Sequence, residues 1–221
     1  MKKYLSVWLC MLVILTSCNP ANTPVTDTRT VPLDSVQVIS IDNGSTPVTV
    51  EAISGLESLE VSSTAHDRKP AFSIERAQNE IRIAASNHLF RIFNLANKPA
   101  ITVRIPANYE GNLGINSSSG AVKINQIQSG LSVDGASGSI ELTADRIVSD
   151  IRLASTSGNV TLRIAEAAPD VSWILESRSG RRSHALNWQQ SDEKKHISQG
   201  ITGQGTYQVN VSTRSGNIII Q

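Results

Sequence analysis

The 221 residues contain only two cysteines, Cys10 and Cys18, and both lie in the first eighteen positions. The rest of the chain can form no internal disulfide and no Cys-based metal site, so its stability must come from an apolar core. An excess of one charge is also missing. Twenty Lys and Arg face 19 Asp and Glu, whereas a nucleic-acid partner calls for a strongly basic face. No apolar run is long enough to span a bilayer. The longest, Tyr4 to Ile14, is interrupted by Ser6 and falls short of the roughly 20 residues required. Catalytic signatures are missing too. There is no Gly-x-Ser-x-Gly elbow, and His66, His88, His184 and His196 show no metal-binding spacing. Asp134, Glu141 and Asp150 are isolated acids. Gly200, Gly203 and Gly205 lack the Lys and the following helix of a phosphate cradle. These absences predict a protein with no catalytic residues, no metal and no cofactor.

The N-terminus carries a positive signal. Lys2 and Lys3 precede the short apolar run, which has the length of a signal-peptide core. The run closes on Leu15-Thr16-Ser17-Cys18. This tetrad resembles the lipobox of bacterial lipoproteins. The resemblance implies cleavage after residue 17 and lipidation of Cys18, with two or three acyl chains anchoring the protein stably where one would not. Removing residues 1–17 takes away Lys2 and Lys3 and no acid, leaving 18 basic and 19 acidic side chains. Asn19, where an Asp would favour inner-membrane retention, resembles the outer-membrane pattern of hosts with two membranes. Residues 18–34, with Pro20, Pro24 and Pro32 and no apolar periodicity, are expected to be a flexible tether.

Beyond the tether a phrase recurs: apolar-x-apolar, small residues, Ser-Gly, then x-apolar-x-apolar. It closes on Gly120, Gly138, Gly158, Gly180 and Gly216, spaced 18, 20, 22 and 36 residues apart. Apolar residues fall seven and five before each well-kept glycine and two and four after it. That is period-two alternation on both sides of a turn, the pattern of half-buried strands. The last gap approximates two periods and predicts one unit that has lost its Ser-Gly mark. The Ser-Gly pair is expected to supply small side chains and a positive φ. Four aliphatic side chains per unit, at roughly 1.5–3 kcal/mol each, cannot offset the ordering of about 18 residues, so units must share a core. The expected fold is therefore all-β, a β-solenoid over residues 35–221, with a less regular part at 35–110 and the Ser-Gly repeats at 111–221. An antiparallel β-sandwich or meander, with each Ser-Gly at a hairpin tip, is the alternative. Asn43-Gly44 reads as a hairpin signal, and the apolar cluster from His88 to Leu95 as a cap or short helix.

The Ser-Gly phrase at Gly120, Gly138, Gly158 and Gly216, with the closing Val209 to Ile220 segment, resembles a bacterial family of adhesin-like domains of unknown function. Gly114-Ile115-Asn116 is similar to a related group named for a Gly-Ile-Asn head motif. The resemblance implies a solenoid-like fold and a cell-envelope location, and it implies no enzymatic residues. The chain departs from the pattern at its fourth unit, where Arg182 and His184 stand in the two apolar places after Gly180. With Arg178 and Arg181 they form a candidate patch for an anionic glycan, lipopolysaccharide or phospholipid headgroup. The alternative is a solvated loop, with Asp192 and Glu193 balancing Lys194 and Lys195. The expected function is a membrane-anchored, non-catalytic binding or scaffolding module. An accessory protein that binds an envelope membrane protein is a second reading. A glycan-processing enzyme on a β-helix is a third, and it would need acids converging on one face.

Overall fold

The computed structural model describes residues 25–65, 71–86 and 99–221. Within them the alternating segments form nineteen strands and no helix, in one nine-stranded and one ten-stranded sheet. Each repeat phrase makes one coil. Its first half is a strand of the larger sheet, its Ser-Gly is a corner, and its second half is a strand of the smaller sheet. The coils are β8 (Asn112–Ser117) with β9 (Val122–Asn125), β10 (Gly130–Gly135) with β11 (Ile140–Ala144), and β12 (Ile151–Ser155) with β13 (Val160–Ile164). Two more are β14 (Val171–Ser177) with β15 (Arg182–His184), and β18 (Tyr207–Thr213) with β19 (Ile218–Ile220). Equivalent strands of neighbouring coils pair in parallel. This is solenoid geometry rather than an antiparallel sandwich, in which each Ser-Gly would join two strands of one sheet.

The N-terminal section is more regular than its sequence suggests. Strands β2 (Val38–Gly44) and β3 (Val48–Ile53) form a coil without a Ser-Gly mark, paired in parallel with β8 and β9. Asn43-Gly44 is its corner and not a hairpin tip, because β2 and β3 belong to different sheets. Strands β6 (Glu80–Ala85) and β7 (Ala100–Pro106) pair in parallel with β2 and β3 and add one more level. The sheets then end in antiparallel strands. β4 (Ser58–Ala65) lies on β7, β1 (Val25–Pro32) on β4, and β5 (Phe72–Ala77) on β6. The stretch expected to be tether through Asp34 thus already contributes an edge strand from Val25. The cluster His88 to Leu95, Cys18 and the first seventeen residues lie outside the described residues.

Spatial order differs from chain order at both ends. Along the larger sheet the coil strands run β6, β2, β8, β10, β12, β18, β14. The coil last in sequence is therefore inserted between the third and fourth Ser-Gly coils. The 36-residue gap holds no lost coil. Its residues form β16 (Gln190–Glu193) and β17 (Ile197–Thr202), an antiparallel pair that extends the larger sheet beyond β14.

The core lies between the sheets as files of equivalent residues. One file in the larger sheet is Ile81, Ile39, Leu113, Leu131, Ile151, Val209 and Trp173, all buried. A file in the smaller sheet is Val103, Val50, Ile124, Leu142, Leu162 and Ile220, and its seventh place is His184. The neighbouring file ends on Ile218 and Arg182 in the same way. A guanidinium and an imidazole sandwiched between two coils would be desolvated without partners. The coil that carries them must be terminal, which leaves the wholly apolar Val209, Val211, Ile218 and Ile220 coil for the interior.

Candidate anion-binding corner

The corners are built from hydroxyls and bare glycines. Three residues before the glycine, a Ser or Thr hydroxyl accepts the glycine N–H: Ser155 from Gly158 at 2.8 Å, Ser177 from Gly180 at 2.8 Å, and Thr213 from Gly216 at 3.0 Å. The same hydroxyl of Ser177 donates to the Gly216 carbonyl at 2.9 Å, and that of Thr213 to the Gly158 carbonyl at 3.2 Å. The glycines stack in one file, Gly120, Gly138, Gly158, Gly216, Gly180. A Cβ on Gly138, Gly158 or Gly216 would stand 2.0 Å from the preceding glycine's carbonyl oxygen, and one on Gly180 would stand 1.8 Å from it. Close approach is what demands glycine here. The expected positive φ is absent from all five, and occurs instead at Gly44, Gly55, Gly203 and Gly205.

Two residues before each glycine the side chain points outward, and these positions also stack. The file reads Ser118, Ala136, Thr156, Arg214 and Arg178, tied by backbone bonds such as Ser179 N–H to the Arg214 carbonyl at 3.1 Å. Arg178 and Arg214 are exposed on adjacent rungs, roughly one strand spacing of 4.8 Å apart. They line a shallow groove of about 200 Å³ with Ser155, Thr156, Glu176, Ser212 and Thr213. Among the described residues neither arginine forms an ion pair.

The structure divides the four residues singled out in the sequence. Arg178 lines the groove. Arg181 is exposed on the other side of the Gly180 corner, its N–H donating to Asn217 Oδ1 at 2.9 Å. Arg182 and His184 face inward and close the end of the core. The Arg182 side chain is 13% exposed. Its guanidinium donates to Ser198 Oγ at 2.7 Å and to the Lys194 carbonyl at 3.0 Å, with Glu193 at 3.8 Å. The His184 ring stacks on Trp188 with centroids 3.9 Å apart, and Trp188 fills the space that a side chain on Gly200 would take. These two residues are an end cap and cannot belong to an exposed patch. Arg214 was not singled out from the sequence because it lies 36 residues from Arg178. Its place two before Gly216 was the available signal.

The isolated acids do not converge. Asp134 is on the outer face of the larger sheet, bound by Arg152 at 2.7 and 2.9 Å. Glu141 is on the outer face of the smaller sheet, 3.8 Å from Arg163. Asp150 accepts the Gln208 N–H at 2.8 Å. The paired-carboxylate arrangement that a glycan-processing enzyme requires is not formed by these three.

Coil, corner and stacking order together define the architecture, and a family model described as Toastrack DUF4097 matches residues 36–130 and 110–221. The chain belongs to the Toastrack DUF4097 family. Membership agrees with the adhesin-like family expected from the Ser-Gly phrase. Among solved structures, this Toastrack chain is similar to a candidate cell-adhesion protein of Clostridium sporogenes, at 12% identity and a TM-score of 0.68, covering 90% of this chain and 99% of that one. It is also similar to a candidate adhesin of Bacteroides fragilis, at 13% identity and a TM-score of 0.34, covering 90% and 99%. A candidate adhesin of Parabacteroides distasonis matches at 12% identity and a TM-score of 0.31, covering 90% and 98%. The first of these likenesses shows the Toastrack fold. No curated protein matches the chain.

Proposed function

We propose that this Toastrack protein is a lipid-anchored, non-catalytic binding module of the bacterial cell envelope, tethered through Cys18 and held at the outer membrane where the host has two. The observation that carries the reading is the stack of outward corner positions ending in two arginines that have no ion-pair partner among the described residues, at the end of the ladder remote from β1. A rigid ladder presents repeated polar contacts, and dense display on a membrane makes individually weak contacts effective. The export signal and lipobox supply the anchoring half. The candidate names of similar solved structures, cell adhesion and adhesin, agree with a binding role.

The test has two arms. Labelling the native host with an alkyne-tagged fatty acid should mark the wild-type protein in the membrane fraction and leave a Cys18→Ser variant unmarked. Unlabelled, soluble wild-type protein sinks the anchoring. A pull-down from intact membranes with the lipidated protein should retain an envelope component that is either glycan or protein. A protein partner is the second reading, favoured by the exposed Ile174 beside Ile201 in a depression of about 370 Å³ on the outer face of the larger sheet.

A further inference from the structure

We propose that Arg178 and Arg214 clamp the anionic group of an acidic sugar, while Glu176 and the hydroxyls of Thr156 and Ser212 engage that sugar's own hydroxyls. The inference deepens the binding-module reading and rests on it. Two guanidinium groups on adjacent rungs repel each other, and among the described residues no carboxylate, Glu176 of the same groove included, forms an ion pair with either. The corner beneath them cannot relax, because the Ser177 and Thr213 hydroxyls and the stacked glycines hold both rungs. An oxyanion between them would turn that repulsion into two charge-assisted contacts, with the planar fork of each arginine suited to carboxylate, sulfate or phosphate oxygens.

Glu176 narrows the ligand class. It lines the same groove yet pairs with neither arginine. Toward a bare inorganic anion it is a repulsive neighbour. Toward an anion carried on a polyhydroxylated ring it is an acceptor for a ring hydroxyl, and Thr156 and Ser212 add groups that donate and accept. Position narrows the source. Arg178 precedes β15, at the opposite end of the nine-stranded sheet from β1. Eight strand spacings of about 4.8 Å separate those ends, so the groove is carried away from the tethered end. A glycan fits this placement better than the headgroups of the anchoring membrane.

The full mature chain in neutral detergent is titrated by calorimetry with five probes. These are a sulfated tetrasaccharide, an oligogalacturonate, a neutral tetrasaccharide, inorganic phosphate, and vesicles containing phosphatidylglycerol. At least one acidic oligosaccharide should bind about tenfold or more tighter than the neutral one. The double variant Arg178→Ala, Arg214→Ala should lose that margin. Arg29→Ala with Arg82→Ala, which removes the same charge near the other end, should change Kd less than about twofold. Glu176→Gln should weaken the oligosaccharide while tightening phosphate. Equal effects of the two double variants, equal strengthening of sugar and phosphate by Glu176→Gln, or response to vesicles alone would each overturn the proposal. The acylation and pull-down results are read independently, so failure of this site is distinguishable from failure of the envelope role.

Discussion

Gly216 sits on Gly158, 58 residues earlier in the chain, so closely that a Cβ on Gly216 would stand 2.0 Å from the Gly158 carbonyl oxygen. That contact joins the C-terminal coil to the third Ser-Gly coil and places it ahead of the fourth. It also makes the glycine requirement one of distance. Gly158→Ala should destabilise the fold by about 1–3 kcal/mol, because its methyl would meet the backbone of Gly138 and the Ser155 hydroxyl. Gly55 offers the contrast, with φ +79 and open space around a built Cβ. Asn should be tolerated at Gly55, since Asn visits the left-handed region, and should not be tolerated at Gly158. Urea midpoints of the three single variants, Gly158→Ala, Gly158→Asn and Gly55→Asn, decide the matter.

The inserted coil predicts a truncation effect larger than its length suggests. A chain ending at Thr206 loses β18 and β19, and with them the parallel partners of β12, β13, β14 and β15. Residues 165–206 should then be cut rapidly by protease while the β2 to β13 part keeps a cooperative unfolding transition. Slow cleavage of that segment in the truncated chain would show that β14 docks without its partner.

Inward and outward arginines should respond differently. Arg182→Ala removes donors from Ser198 Oγ and the Lys194 carbonyl in a partly buried site, at an expected cost of about 1–3 kcal/mol. Arg178→Ala and Arg181→Ala are exposed and should stay within about 0.5 kcal/mol of wild type. Thermal unfolding of the three variants provides the comparison.

Asp170 gives the fold a pH dependence of defined sign. Its carboxylate accepts the Thr206 hydroxyl at 2.6 Å and the N–H groups of Thr206 and Gln204 at 3.2 and 2.5 Å. The Thr206 hydroxyl first, then the Thr206 backbone, holds the carboxyl below its usual range. The folded state therefore binds this proton less readily than the unfolded chain. The stabilising contribution is present above the unfolded value of about 3.9 and is lost as pH falls through the lower folded value. The stability gap between wild type and Asp170→Asn should be constant near neutrality and close only in that acid range. A gap that closes above pH 5 would contradict the assignment.

At the other end of the scale, burial pushes the Tyr109 hydroxyl up to about 12. The folded state favours the neutral phenol, so this contribution is intact below the unfolded value of about 10 and is lost as pH rises through about 12. Ultraviolet titration of the folded protein should show one tyrosine ionising late, and Tyr109→Phe should remove that step.

Much of the molecule was legible without coordinates. Leu131 and Val133 before Gly138, and Ile140 and Leu142 after it, announce their inward faces through period-two alternation, and the repeat length announces a coil. The end cap was half legible. Arg182 and His184 stood out as misfits in apolar places, and the error lay in reading them as exposed rather than as the closing layer of the stack. The antiparallel pair β16 and β17 was hidden, since it follows from no local pattern, and Arg214 was marked only by its repeat position two before Gly216.

By itself the sequence determined the strand periodicity, the corner positions and the side chains that turn inward, because alternation sets which face of a strand is buried whatever lies beside it. It left open which coil neighbours which, since one aliphatic file stacks on another almost equally well. Only the tertiary structure decided that order. Desolvation sends Arg182 and His184 to the end and draws the apolar C-terminal coil inside, and that same step sets Arg214 beside Arg178.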